Sequence, residues 1–151
     1  MNQIKMPSGF NPKELSFGTN GRDKLISGIT QIANAVKSTL GPRGNTVLIE
    51  SQFVTGGLTV TKDGVTVAKA VDLLDPVENL AVRMMKQAAD NTASSAGDGT
   101  TTAIVLTEEL VKQGNRLMDE TTNRAEVLRE VVKETENVIA KLKKASKKIT
   151  N

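Results

Sequence analysis

Gly97-Asp98-Gly99-Thr100-Thr101-Thr102 runs directly into the apolar stretch Ala103-Ile104-Val105-Leu106, and this junction decides how the chain is read. It places one carboxylate, two glycines and three consecutive hydroxyls ahead of an apolar segment, the pattern of a loop entering a helix. First-turn N–H groups carry partial positive charge, glycines let an anion approach the backbone, and hydroxyls add donors. A carboxylate in such a corner would repel a bare phosphate. It suits a Mg²⁺ ion that bridges carboxylate and phosphate oxygens, which makes Asp98 a candidate magnesium ligand. A plainer reading stands beside this one: Asp98 and Thr100 cap the helix and bind nothing, and local physics alone favours it.

Upstream, Leu40-Gly41-Pro42-Arg43 is a second turn of similar character. Before it, Leu25, Ile26, Ile29, Ile32, Ala33, Val36 and Leu40 recur at three- and four-residue steps from Asn20 onward, which predicts a helix with one buried stripe. Thr19 or Asn20 is expected to cap its start and Gly41-Pro42 to end it. Val47 to Ile49 and Leu58 to Val60 are β-rich runs separated by a segment with Gly56-Gly57, predicting a hairpin with a long loop. Thr61-Lys62-Asp63-Gly64 then sets a cation and a carboxylate at a strand exit, ahead of Val65, Val67 and Ala68. Taken alone, Asp63 and Gly64 read as an ordinary turn and cap.

Asp75-Pro76 predicts the next helix start, with Asp75 as cap and Pro76 at the first position. Leu80, Met84, Met85 and Ala88 are its expected buried side, the methionines as adaptable core filling. A third helix is expected from about Thr100 to Met118, with Ile104, Leu110, Val111 and Leu117 inward. A last one carries the stripe Val127, Leu128, Val131, Val132, Val138, Ile139 and Leu142. It ends among Lys141, Lys143, Lys144, Lys147 and Lys148, a solvated face that suits the helix C-terminus.

Composition bounds the function. A chain of 151 residues can form one domain that buries about two-thirds of its unfolded surface. Phe10, Phe17 and Phe53 are the only aromatic residues, so the core must be aliphatic and no base-stacking platform exists. With 20 Lys and Arg against 17 Asp and Glu, the net charge of +3 does not call for nucleic acid as a partner. The absence of cysteine and histidine removes disulfides, thiolate nucleophiles, imidazole bases and zinc sites of the usual kind. Met1 to Phe10, with Pro7 and Gly9, match no secretory signal, and no stretch approaches membrane-spanning length. The expectation is a soluble, cytoplasmic protein with no membrane partner.

The order and spacing of Leu40-Gly41-Pro42-Arg43-Gly44, Thr61-Lys62-Asp63-Gly64-Val65, Glu78-Asn79 and Ala96-Gly97-Asp98-Gly99-Thr100-Thr101-Thr102-Ala103 resemble the N-terminal part of a group I chaperonin, the GroEL or Hsp60 family. The resemblance is collinear from Phe17 to about Ser146. It implies a mainly α chain with a small β-hairpin, the N-terminal segment only of an equatorial-domain-like helical bundle. Residues 1–14 would be a flexible arm, 15–146 the equatorial ATP-binding segment, and 147–151 the start of a hinge to an intermediate domain missing here.

By matching position, Asp98 would bind Mg²⁺, and Gly99, Thr100, Thr101 and Thr102 would hold phosphates. Thr39, Leu40, Gly41 and Pro42 would line the nucleotide, with the Thr39 and Lys62 carbonyls near K⁺. Asp63 would be the catalytic residue, close to the terminal phosphate and helping to place the attacking water. The complete subunit would be an ATP hydrolase and folding chaperone in a homo-oligomeric double ring, acting on unfolded client proteins with a co-chaperonin. Arg43 replaces the family's usual lysine, which keeps the charge and alters the hydrogen-bond geometry. The arm at Met1 to Pro12 and the loop from Glu50 to Leu58 are longer than usual. The family's C-terminal equatorial segment, intermediate-domain aspartate and apical groove have no counterpart, so the alternative is a truncated, non-catalytic interaction module that associates with chaperonin rings.

Overall fold

The computed structural model describes residues 15–50 and 57–147. Its elements run α1 (Gly18–Lys37), β1 (Val47–Glu50), β2 (Leu58–Thr61), α2 (Gly64–Ala70), α3 (Pro76–Ala96), α4 (Thr100–Leu117) and α5 (Arg124–Ala145). The chain is therefore mainly helical with one small antiparallel sheet, as the sequence predicts. The expected arm at 1–14, residues 51–56 of the expected hairpin loop with Phe53 and Gly56, and residues 148–151 with Lys148 lie outside the described residues. Two compact units result, Met1–Lys112 and Gln113–Asn151.

In the first unit, α1 packs chiefly on α3, and α2 touches both helices and β1. Ile32, Ala33, Val36, Val67, Ala68, Val82, Met85, Ala89 and Ile104 form an aliphatic core, with Val47 and Ile49 of the hairpin leaning on it. The hairpin pairs Val47 with Thr61, Leu48 with Val60, Ile49 with Thr59 and Glu50 with Leu58. Both predicted strands are thus present, each one residue longer than expected. Alternation turns Leu48 outward while its neighbours face the core.

The helix ends expose the limits of pattern reading. Phe17, in extended backbone, precedes α1, and the turn into the helix is made by Gly18 at φ 66. Thr19 and Asn20 therefore fall inside the first turn, and neither is the cap residue. At the other end α1 stops at Lys37, ahead of Gly41-Pro42. The Ser38 and Thr39 hydroxyls donate to the carbonyls of Ala35 (2.7 Å) and Val36 (2.8 Å), satisfying them without another helical turn. Leu40 is consequently beyond the helix and exposed. Asp75 does cap α3, accepting from the Val77 and Glu78 amides, with Pro76 in the first turn.

The buried faces of α3 and α4 differ from expectation. On α3 the inward residues are Ala81, Val82, Met85 and Ala89, while Leu80 and Met84 are exposed and Ala88 is half-buried. Close approach to α1 selects the small side of the helix. A Cβ on Gly28 would lie 2.9 Å from the Glu78 carbonyl carbon and 3.0 Å from its Cα, so the two backbones nearly touch there. On α4 the inward line is Thr100, Ile104 and Glu108, at four-residue steps. Leu110 and Leu117 point outward and Val111 is half-buried, since they lie off that line. The α5 stripe lies open to solvent. Among the described residues the second unit holds the end of α4, a turn and α5, too little to cover an apolar face, and α5 contains no buried residue.

Gly28→Ala tests the crossing. In an exposed helix the change would add about 1 kcal/mol of helix propensity. Here the methyl must force two backbones apart, and the expected outcome in urea unfolding is a net loss of about 1–3 kcal/mol.

Candidate functional site

The first wall of the site is the turn after α1. Leu40 to Gly44 fold back tightly, with the Gly44 amide donating to the Gly41 carbonyl (3.0 Å) and the Asn45 amide to that of Ser38 (2.7 Å). Gly41 sits at φ 75, in the left-handed region. Thr39 is half-buried, and its carbonyl is pressed against Gly44, where any side chain would strike it.

The second wall is the start of α2. Asp63 is its cap: one carboxylate oxygen accepts from the Val65 amide (3.3 Å), the other from the Thr66 amide (3.0 Å) and hydroxyl (2.6 Å). The Thr66 hydroxyl holds the Asp63 carboxyl below its usual range; partial burial opposes it, and the Thr66 and Val65 amides and the Lys69 charge add to the lowering. Lys62, beside it, is exposed.

The third wall is the loop from α3 into α4. Gly97 closes α3 at φ 74, donating to the Ala93 carbonyl (2.9 Å), and Gly99 stands at φ 88. Between them the exposed Asp98 turns Oδ1 back onto the Gly99 amide (2.6 Å). The Gly99 carbonyl accepts from Ala103 (2.9 Å), opening the 18-residue α4 with Thr100 buried and Thr102 exposed.

These walls meet at one point. Gly64, buried, has the Thr101 hydroxyl where its Cβ would be and Val36 Cγ1 3.3 Å from the same position. The end of α1, the start of α2 and the start of α4 thus converge on a glycine, which brings together the neighbourhoods of Thr39, Asp63 and Thr101. Glu78 and Asn79 belong elsewhere. The Asn79 side chain accepts from the Leu73 amide (3.1 Å) and Glu78 from Gln31 (2.9 Å), so both brace α3.

Among the described residues no group of three or more carboxylates gathers. The chain offers no all-protein metal cage there. A single exposed carboxylate at a glycine-flanked helix start fits an ion that arrives already bound to phosphate oxygens.

Sequence reasoning missed Glu108. It is 1% exposed, yet it is paired with Lys37 at the end of α1 and with Lys112 (2.6 Å) on its own helix. Burial pulls its carboxyl upward, but the hydrogen bonds from Lys112 and Lys37 and their charges outweigh it and hold it below the usual range. The ion pair with Lys37 ties the helix that leads into the Thr39 turn to the helix that begins at Thr100. The only sequence signal was an acid four residues after a core isoleucine and four before a lysine.

A family model for the TCP-1/cpn60 chaperonins matches residues 32–151. The chain belongs to that family. In structure it is similar to the chaperonin gp146 from the bacteriophage EL 2 (Pseudomonas aeruginosa), at 32% identity and a TM-score of 0.62, over 68% of this chain and 18% of that one. A second crystal form of the same protein gives 35% identity and a TM-score of 0.57, over 62% and 16% of the two chains. Both were crystallised in the presence of ATP-BeFx. This chain spans less than a fifth of the length of those structures. Among its described residues no helix is long and apolar enough to cross a membrane.

The Glu108 pairing makes a pH-dependent prediction. Because its folded-state pKa is depressed from 4.5, its ionised form stabilises the fold above that value, and the contribution is lost as pH falls through the lowered pKa. Lys37→Met should cost about 1–3 kcal/mol at pH 7 in urea unfolding, whereas Glu108→Leu should be close to neutral. The Lys37→Met deficit should shrink below pH 4.5 as Glu108 protonates.

Proposed function

We propose that this chain is the N-terminal part of the equatorial domain of a group I chaperonin and that its three-walled corner binds ATP. Residues 15–146 would make up that segment. The observation that carries the reading is the convergence of the starts of α2 and α4 and the end of α1 on Gly64. Three segments far apart in sequence, each rich in backbone amides, glycines or hydroxyls, would line one place next to it. Crystallisation of the phage chaperonin with an ATP analogue supports it.

Each residue then has a task its position allows. Gly99, Thr100, Thr101 and Thr102 would present first-turn amides and hydroxyls to phosphate oxygens, and Thr39 to Pro42 would line the nucleotide. Asp98 would hold Mg²⁺ through the oxygen not bound to Gly99, and the Thr39 and Lys62 carbonyls would face K⁺; the ions supply charge neutralisation at the phosphates. Asp63 would orient water toward the terminal phosphate. Such positioning is what phosphoryl transfer requires of a protein. In the complete subunit, turnover would drive the folding of unfolded clients within an oligomeric ring, with a co-chaperonin, in the cytoplasm.

Thermal unfolding of the chain, followed by circular dichroism, tests the corner. Mg-ATP at about a hundred times its dissociation constant should stabilise the wild type by about 2.7 kcal/mol. Asp98→Ala should keep the unliganded melting temperature, since Asp98 is exposed, and should abolish the Mg-ATP shift. An equal shift in both proteins would sink the metal assignment, and none in the wild type would overturn nucleotide binding. Asp63→Asn keeps an acceptor at the cap. It should retain the Mg-ATP shift and stop any ATP turnover in the assembled chaperonin.

A further inference from the structure

We infer that Glu108 is a positioning residue for the nucleotide corner: through Lys37 it sets the separation between the turn at Thr39 to Pro42 and the start of α4, a role that rests on the nucleotide reading of that corner and involves no contact with the ligand. Both oxygens of this 1% exposed carboxylate meet cations, and the cations belong to different helices. Oε2 pairs with Lys37, the last residue of α1, and Oε1 with Lys112 of α4 itself (2.6 Å). Lys112 ties α4 only to itself. Lys37 ties it to α1.

Each end of the tether reaches a wall of the corner. The Lys37 carbonyl accepts from the Leu40 amide (3.1 Å), and the Val36 carbonyl accepts from the Thr39 amide (3.0 Å) and hydroxyl (2.8 Å). A displacement of Lys37 therefore carries Thr39 and Leu40 with it. On the other side, continuous helix joins Glu108 to Thr100 over about 12 Å.

α4 meets the first unit along a line of side chains: Thr101 at Gly64, Ile104 in the aliphatic core and Glu108 at Lys37. Packing at the first two points sets how deep the helix sits, but apolar contact is non-directional. A charge-assisted bond about one turn beyond Ile104 fixes the direction in which α4 leaves the corner. Stability alone gives no reason for a charge here, because a well-packed leucine would hold the fold about as well. Without the tether the two walls sample other separations. Apparent affinity for a ligand that bridges them then falls with the fraction that remains binding-ready.

Calorimetric titration of the full chain with Mg-ATP, with helix content checked by circular dichroism, tests this role. Glu108→Leu should keep the urea midpoint and weaken Mg-ATP binding about tenfold, a split that a residue acting only through stability would not produce. Glu108→Gln, which keeps the shape and removes the charge, should also weaken binding, and so should Lys37→Met. Lys112→Met removes the other partner of the same carboxylate but no link between helices. It should lower the melting temperature and leave the affinity unchanged. Wild-type affinity in both Glu108 variants overturns the inference, even where Lys37→Met binds weakly, since Lys37 would then be touching the nucleotide itself. Equal weakening by Lys112→Met overturns it too, because affinity would simply follow stability. A wild-type chain that binds no Mg-ATP overturns the nucleotide reading and the positioning role together, whereas variants that bind as well as a binding-competent wild type overturn the positioning role alone.

Discussion

The near-contact of two backbones at Gly28 and Glu78 is the constraint from which the first unit is built. Helices that approach this closely must meet with small residues, and Ala81 and Ala89 of α3 supply them. That choice turns α3 so that Val82 and Met85 reach Ile32, Ala33 and Val36 of α1, leaving the longer Leu80 and Met84 to water. The crossing is pinned outside the core as well. Lys24 of α1 bonds the Asp75 carboxylate at 2.6 Å, so the residue that starts α3 is also its tether to α1. With α1 and α3 fixed, α2 fits against both, and its first residue, Gly64, sits within reach of α4.

Much of this was legible in the sequence. The type of most elements followed from apolar periodicity, from Asp75-Pro76 as a helix start, and from two β-branched runs around glycines; the short α2 was not counted, because Asp63-Gly64 alone reads as a turn and cap. These signals are local, so they survive without knowledge of the rest of the fold. The face each helix buries was harder. Leu80 and Met84 looked like core because hydrophobicity was read without the spacing between helices, which only the Gly28 contact sets. Glu108 was invisible for the opposite reason: it is a charge at a core position, tolerable because two lysines reach it. The α5 stripe was read correctly as a pattern, but a stripe says that something should cover it, not what.

The candidate site shows the same division. Its three loops could be picked out by residue type, whereas their meeting depended on Gly64. A glycine after an aspartate reads as a turn residue chosen for conformational freedom. Here it is chosen for space, because the Thr101 hydroxyl occupies the place of its side chain. Gly41, Gly97 and Gly99 are the converse, with open space around them and left-handed backbones. One residue type thus serves two physical ends within one corner.

The capping bonds of Asp63 also limit its chemistry. A carboxylate that already accepts from two amides and a hydroxyl, at the positive end of a helix, has most of its lone pairs committed and its basicity reduced. It is a poor acceptor for a proton and a good fixed dipole. Any water held beside it would be turned rather than deprotonated. In the proposed nucleotide reading, the proton released by an attacking water would then have to leave by another group, a phosphate oxygen or bulk solvent being the acceptors at hand.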